Sequence, residues 1–166
     1  MEKFTQEQVT AVIDKLLDRL YEKDSFLLQR KLNITERAIT HKMGLYLEQL
    51  LPNDVDVDCE YNRMGKKVFG EIDYTNGDYF AKTVCLSEGS VSDEDDEGSR
   101  VFPDIIVHNR GTANNYIIIE VKIDWKSDRA KHDIRKLNAY KADLNYQFAF
   151  YIQLTEDRSQ VRIDQV

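Results

Sequence analysis

The apolar positions near the start of the chain fall on one helical stripe. Val9, Val12, Ile13, Leu16, Leu17 and Leu20 recur at i, i+3, i+4 and i+7, the spacing of a helix with one buried face. Thr5 followed three residues later by Gln8 has the form of a capping box that opens it. A short helical piece is expected over residues 25–31. The next helix begins at Asn33 or Thr35, carries Ile39, Met43, Tyr46, Leu47, Leu50 and Leu51, and stops at Pro52. The period then changes to two. Val55, Val57, Cys59 and Tyr61 alternate with Asp54, Asp56, Asp58 and Glu60, as in a half-buried strand with one polar face.

Beyond this the pattern weakens. Gly65-Lys66-Lys67 reads as a turn, and Asn76-Gly77 as the turn of a hairpin. Residues 87–99 form a polar, acidic stretch expected to be a mobile loop. Two strong strands are predicted over 100–109 and 115–124, joined by a loop of hairpin chemistry at 110–114. Ser127 or Asp128 can cap a helix reaching Asp143, with Ala130, Ile134, Leu137 and Tyr140 on one face. A strand over 146–154 and a shorter one over 160–166 follow. The order of elements predicts an α/β fold, with helices packed on a central mixed sheet.

A length of 166 residues fits a single domain over 1–166, with an accessory helical segment at 1–31. That length buries enough surface to fold without a metal or disulfide. No apolar run approaches the ~20 residues of a membrane span, so no membrane partner is expected. The polar N-terminus lacks the apolar core of a signal peptide. Cys59 and Cys85 show neither metal-ligand spacing nor a disulfide framework, so a cytoplasmic protein is expected. The net charge of −7 argues against nonspecific nucleic-acid binding. Six acids between Glu88 and Glu97 account for all but one unit of it, however. From His108 to Lys141 eight Lys and Arg face four Asp and Glu.

The candidate chemistry lies in Pro103-Asp104 and, sixteen residues after Asp104, Glu120-Val121-Lys122. Glu120 and Lys122 share one strand face, ~6–7 Å apart. If the two strands pair as a hairpin, Asp104 lies beside Glu120. Two such carboxylates repel unless a cation bridges them. Hard oxygen ligands suit Mg²⁺ or Mn²⁺, and the Lys122 ammonium can then hold an attacking water or offset charge on a phosphate. The run Tyr116-Ile117-Ile118-Ile119 marks a central strand, where a Glu and a Lys are unusual unless paired or functional.

At these residues the sequence resembles the PD-(D/E)xK nuclease superfamily, the restriction-endonuclease-like fold. Pro103-Asp104 and Glu120-Val121-Lys122 match its pattern in order, residue type and spacing. The chain is also similar to small bacterial members in Thr35-Glu36-Arg37-Ala38-Ile39-Thr40-His41, Glu60-Tyr61-Asn62-Arg63 and Pro103-Asp104-Ile105-Ile106-Val107-His108. The resemblance implies an αβββαβ core from Asn33 to Leu154, about three quarters of the chain. It implies that Asp104 and Glu120 bind the metal, joined by the Val121 backbone carbonyl and by Glu36. It implies a Mg²⁺-dependent nuclease acting on DNA. Dimers are common in the superfamily, which makes a homodimer an expectation to test.

Each residue also has a plainer reading. Asp104, Glu120 and Lys122 would form a buried interstrand salt bridge. Glu36 would complete a capping box with Asn33. His41, His108, Arg110 and Arg63 are candidates for substrate contact, against structural roles in hydrogen-bond networks. Lys131, Arg135 and Lys136 suit a phosphate backbone, against a solvated helix face. Asp133, Lys136 and Tyr140 recur at i, i+3 and i+7 as a support network. Trp125 suits base stacking or core packing. Phosphate-loop, HExxH, nucleophile-elbow and paired-CxxC patterns are absent from the sequence. Two further readings compete. One is a catalytically silent nuclease-fold protein that binds nucleic acid or a protein partner in a defence or repair system. The other is an adaptor that dimerises through the stripe from Val9 to Leu20.

Overall fold

A computed structural model of the chain describes residues 3–68, 71–75, 77, 79–84, 99–100, 102–126 and 130–166. Helix α1 (Gln6–Asp24) starts at the expected capping box. The Thr5 hydroxyl accepts from the Gln8 N–H, and Gln8 Oε1 accepts from the Thr5 N–H. Val9, Ile13, Leu16, Leu17 and Leu20 are buried within the chain's own core. The stripe proposed for a dimer contact is therefore already covered. Two 3₁₀ turns, Ser25–Leu28 and Arg30–Leu32, take the place of the expected short helix.

Helix α2 (Glu36–Leu50) is capped by Thr35, whose hydroxyl accepts from the Ala38 N–H. The Asn33–Glu36 capping box does not form. Asn33 ends the second 3₁₀ turn in the left-handed region, and the Glu36 carboxylate reaches a strand instead. Strand β1 (Asp56–Cys59) is shorter than its alternation predicts. Glu60 adopts φ 53°, in the left-handed region, and breaks the period of two. Val57 and Cys59 pack toward α1 and α2, whereas Tyr61 joins the core on the opposite side of the sheet.

Short strands follow: β2 (Arg63–Met64), β3 (Lys66–Val68), β4 (Glu71–Asp73), β5 (Phe80–Ala81), β6 (Thr83–Val84) and β7 (Ser99–Arg100). They pair as β2 with β5, β3 with β4 and β6 with β7. Lys66 and Lys67 thus lie in a strand rather than a turn. The Gly77 N–H bonds the Tyr74 carbonyl, but the strands on either side, β4 and β5, pair elsewhere. Asn76, the acidic stretch up to Gly98, and the Ser127 and Asp128 caps lie outside the described residues.

The main sheet adds β8 (Ile105–His108), β9 (Asn115–Ile123), β10 (Phe148–Leu154) and β11 (Arg162–Gln165). Its order is β1-β8-β9-β10-β11, parallel between β9 and β10 and antiparallel elsewhere. Helix α3 (Ala130–Leu144) makes the crossover between the two parallel strands. It covers one face of the sheet, over Ile106, Ile118, Ala149 and Tyr151. Helices α1 and α2 cover the other, over Ile105, Val107, Ile117, Ile119 and Val121. This is the mixed α/β sheet flanked by helices that the pattern predicts. Among the described residues, no helix is long and apolar enough to cross a membrane.

Candidate active site

Strand pairing brings the two acids together. In the β8–β9 ladder Ile105 faces Ile119 and Val107 faces Ile117. Asp104 immediately precedes the paired segment and meets β9 beside Glu120 through its side chain, whose Oδ2 accepts from the Val121 N–H. Directly opposed residues share a face of the sheet. Ile118 packs under α3, so Glu120 and then Lys122 project on the α3 side. The intervening Ile119, Val121 and Ile123 pack toward α1 and α2.

Each charged group has a defined surrounding. Asp104 Oδ2 accepts from the Val121 N–H at 2.7 Å. Burial raises the Asp104 carboxyl above its ordinary range, against that bond and the Lys122 charge. Glu120 is only 2% exposed. Its Oε2 lies 3.1 Å from Lys136 Nζ, while Oε1 has no hydrogen-bond partner. Burial and the Asp104 charge push the Glu120 carboxyl up to about 8, and the Lys136 ammonium opposes this without cancelling it. Lys122 Nζ sits 3.6 Å from Glu36 Oε1. Burial alone would lower this lysine, but Asp104 and Glu36 outweigh it and hold the ammonium above its ordinary value.

Glu36 therefore serves two partners. Its Oε2 accepts from the Ile123 N–H at 3.1 Å, which ties the start of α2 to the end of β9. Lys126 adds a second tie by donating to the carbonyls of Asn33 and Ile34. On the other side, α3 presents Lys136 between Glu120 and Asp133, with Nζ 3.9 Å from Asp133 Oδ1 and 6.0 Å from the Tyr140 ring centroid. The i, i+3, i+7 set does converge. Burial and the Glu120 charge raise the Tyr140 phenol. Tyr151, in register with Glu120 on β10, shares this side. Asp133 Oδ2 and Tyr151 Oη are buried without partners, and the Tyr140 hydroxyl lies against the Glu120 carboxylate without closing a full hydrogen bond. Such a concentration of unmet hydrogen-bonding capacity is unusual in a folded interior.

The remaining candidates lie elsewhere. His108 Nε2 is 2.8 Å from Asp58 Oδ2, and its ring packs on Tyr61. The Arg110 guanidinium grips Asp58 at 2.6 and 2.8 Å and Asp56 at 3.2 Å. Burial works against the Asp58 charge, but His108 and Arg110 hold its carboxyl well below the usual range. This cluster begins four residues, ~13 Å, along β8 from Asp104. His41, Arg63, Lys131 and Arg135 are exposed, on α2, β2 and α3. Trp125 packs against the α1/α2 core. Sequence reasoning did not single out Lys82. Its ammonium is buried, donates to the Tyr146 hydroxyl at 2.9 Å and lies over the Tyr61 ring. It sits in the weakly patterned stretch, where no periodic signal marks it. The Asp58–Arg110 grip has a trace in the four acids that the alternation puts on one strand face, which need an answering cation.

The donor set is compatible with a divalent ion. Asp104 and Glu120 supply hard carboxylate oxygens beside one another, one of them unpartnered, and their mutual repulsion would be relieved by a cation. Among the described residues, no three His, Cys, Asp or Glu converge as a ready cation site. Glu36 is instead turned toward Lys122 and the β9 backbone. No family model matches this chain, and no curated protein or solved structure matches it.

Proposed function

We propose that the protein is a Mg²⁺-dependent phosphodiesterase with a restriction-endonuclease-like core, hydrolysing DNA. The observation that supports this reading is the contact of Asp104 with β9: its Oδ2 accepts from the Val121 N–H, and Glu120 and Lys122 flank Val121 on one strand face. Asp104, Glu120 and the Val121 carbonyl would hold Mg²⁺ (or Mn²⁺), with Glu36 joining after release from Lys122. When bound, such an ion lowers the pKa of its water and withdraws charge from the phosphate. Lys122, kept charged by its acidic neighbours, orients that water and meets the phosphate oxygens. Lys136 fixes the Glu120 rotamer through its 3.1 Å contact.

The test is cleavage of supercoiled and linear DNA, with RNA alongside, in Mg²⁺ and in chelator. Wild type is expected to cut only with the ion. Glu120→Gln and Lys122→Ala should each cut slower by a factor of ~10²–10³. Unchanged cutting by Glu120→Gln would refute the assignment.

A second reading has its own support. Lys136 already answers Glu120 and Lys122 already answers Glu36, and the net charge of −7 disfavours phosphate binding. On this view the protein is a silent nuclease-fold subunit that binds nucleic acid or a protein partner. Calorimetric titration separates the two: heat of Mg²⁺ binding lost in Asp104→Asn supports the enzyme, and no heat in wild type supports the silent form.

A further inference from the structure

Among the described residues, the main sheet ends on β11, with β10 as its neighbour. The Val166 N–H donates to the Ala149 carbonyl at 3.0 Å. Residue pairs of an antiparallel ladder alternate between bonded and non-bonded. Arg162 and Asp164 therefore bond toward β10, and the main-chain N–H and C=O of Ile163 and Gln165 point off the edge. Natural sheet edges are commonly blunted by a proline, a lysine or a bulge. β11 contains neither residue, and its register with β10 runs without a shift. At its centre stands Ile163, a large apolar side chain that is 36% exposed.

The side chains along this edge are self-complementary. Arg162 and Asp164 share one face of the strand, with Arg162 Nη2 2.5 Å from Asp164 Oδ2. Consider a second copy running antiparallel along the edge, about a two-fold axis at Ile163. Each Ile163 then exchanges both main-chain bonds with its equivalent. Arg162 faces Asp164 of the partner subunit, and symmetry makes that pair twice. Directly opposed unlike charges favour a register, and like charges disfavour it. Moving the axis one residue either way opposes Arg162 or Asp164 to its own equivalent, so charge selects a single register. The other end of the sheet, β1, fails the same test. An axis at Asp56, Val57 or Asp58 sets acid against acid.

We propose that β11 is a self-association edge, through which two copies of this chain join their sheets antiparallel with Ile163 at the two-fold axis. The strand is four residues long. It offers few main-chain bonds, and stable interfaces bury ~1,200–2,000 Å², so the dimer is a weak one. The competing occupant, an extended segment of another protein, would make the same main-chain bonds, but nothing requires it to carry this order of charges. The proposal does not rest on the phosphodiesterase reading.

The test is sedimentation of the full chain from ~5 to ~500 μM, the range in which a weak interface fills. A monomer–dimer equilibrium is expected. Arg162→Asp opposes acid to acid and Asp164→Arg opposes arginine to arginine, so each variant alone should dimerise ~10-fold or more weakly. Mixing the two variants puts arginine opposite aspartate in both pairs again and should restore the wild-type association, which no folding defect in either would allow. Ile163→Cys adds a readout of position. Bonded antiparallel pairs hold their Cα atoms ~5.5 Å apart, within disulfide reach, so mild oxidation should give a covalent dimer above the wild-type background. Monomer at every concentration, a dimer indifferent to both charge reversals, or no recovery on mixing would overturn the proposal.

Discussion

Replacing Glu120 by Gln should stabilise the protein at neutral pH and flatten its response to pH. In the folded state burial and Asp104 push this carboxyl up to about 8, from an ordinary 4.5. Below pH 4.5 both folded and unfolded chains carry the proton. Between 4.5 and 8 the unfolded chain has released it and the folded chain still holds it. The folded state then binds more protons, so stability falls as pH rises through that window. Each pH unit is ~1.4 kcal/mol, so this group costs on the order of 3 kcal/mol by pH 7. Gln keeps the shape and the polar contact but cannot ionise. The assay is urea unfolding followed by circular dichroism at several pH values from 4.5 to 8, for both proteins. The wild-type-minus-variant difference should be near zero at the acid end and should favour the variant increasingly toward neutrality. Taking the difference cancels groups whose titration is common to both. A flat difference, or one of opposite slope, would show that Lys136 dominates Glu120 and would sink the reasoning.

Three further outcomes are expected. A Cβ on Gly44 would lie 2.7 Å from Cys59 Sγ, so Gly44→Ala should lose ~1–3 kcal/mol despite its better helix propensity. Adding Cys59→Ala should recover most of that loss in a double-mutant cycle, and additive costs would exclude the clash. Asp58→Asn should cost ~1–3 kcal/mol at pH 7 by breaking the His108–Asp58–Arg110 cluster. Because the Asp58 pKa is lowered by folding, that gap should be full above pH 4 and shrink as pH falls below it. Melting curves that keep the gap constant at pH 3 would contradict the ion pairing. Lys126→Met removes the donor to the Asn33 and Ile34 carbonyls. Amide hydrogen exchange in the first turn of α2 should then speed up ~5-fold, and an unchanged rate would mean that the Glu36–Ile123 bond holds the turn alone.

Much of the local structure was legible along the chain. The Thr5–Gln8 capping box, the stripe of α1 and the β8–β9 hairpin follow from contacts within a few residues or from a repeating period. The approach of Asp104 to β9 follows as well, because strand pairing across a short loop leaves few registers. Local spacing allows an Asn33–Glu36 cap, but Glu36 has a partner 87 residues away in the Ile123 amide, of which that spacing carries no trace. The alternation puts Tyr61 on the face of Val57 and Cys59, but one left-handed residue, Glu60, reverses it.

Periodicity and capping chemistry thus specify which segments become helix or strand and which of their faces is apolar. Those are short-range properties, set by backbone geometry and side-chain type. Whether an ionisable group in such a segment is solvated, paired or stranded depends on which distant surface covers it. Lys136 becomes the partner of Glu120 because α3 is laid across β9. Lys82 is buried because Tyr61 and Tyr146 close over it. Dielectric, and with it the charge state of each group, is a property of that assembled packing rather than of neighbours in sequence.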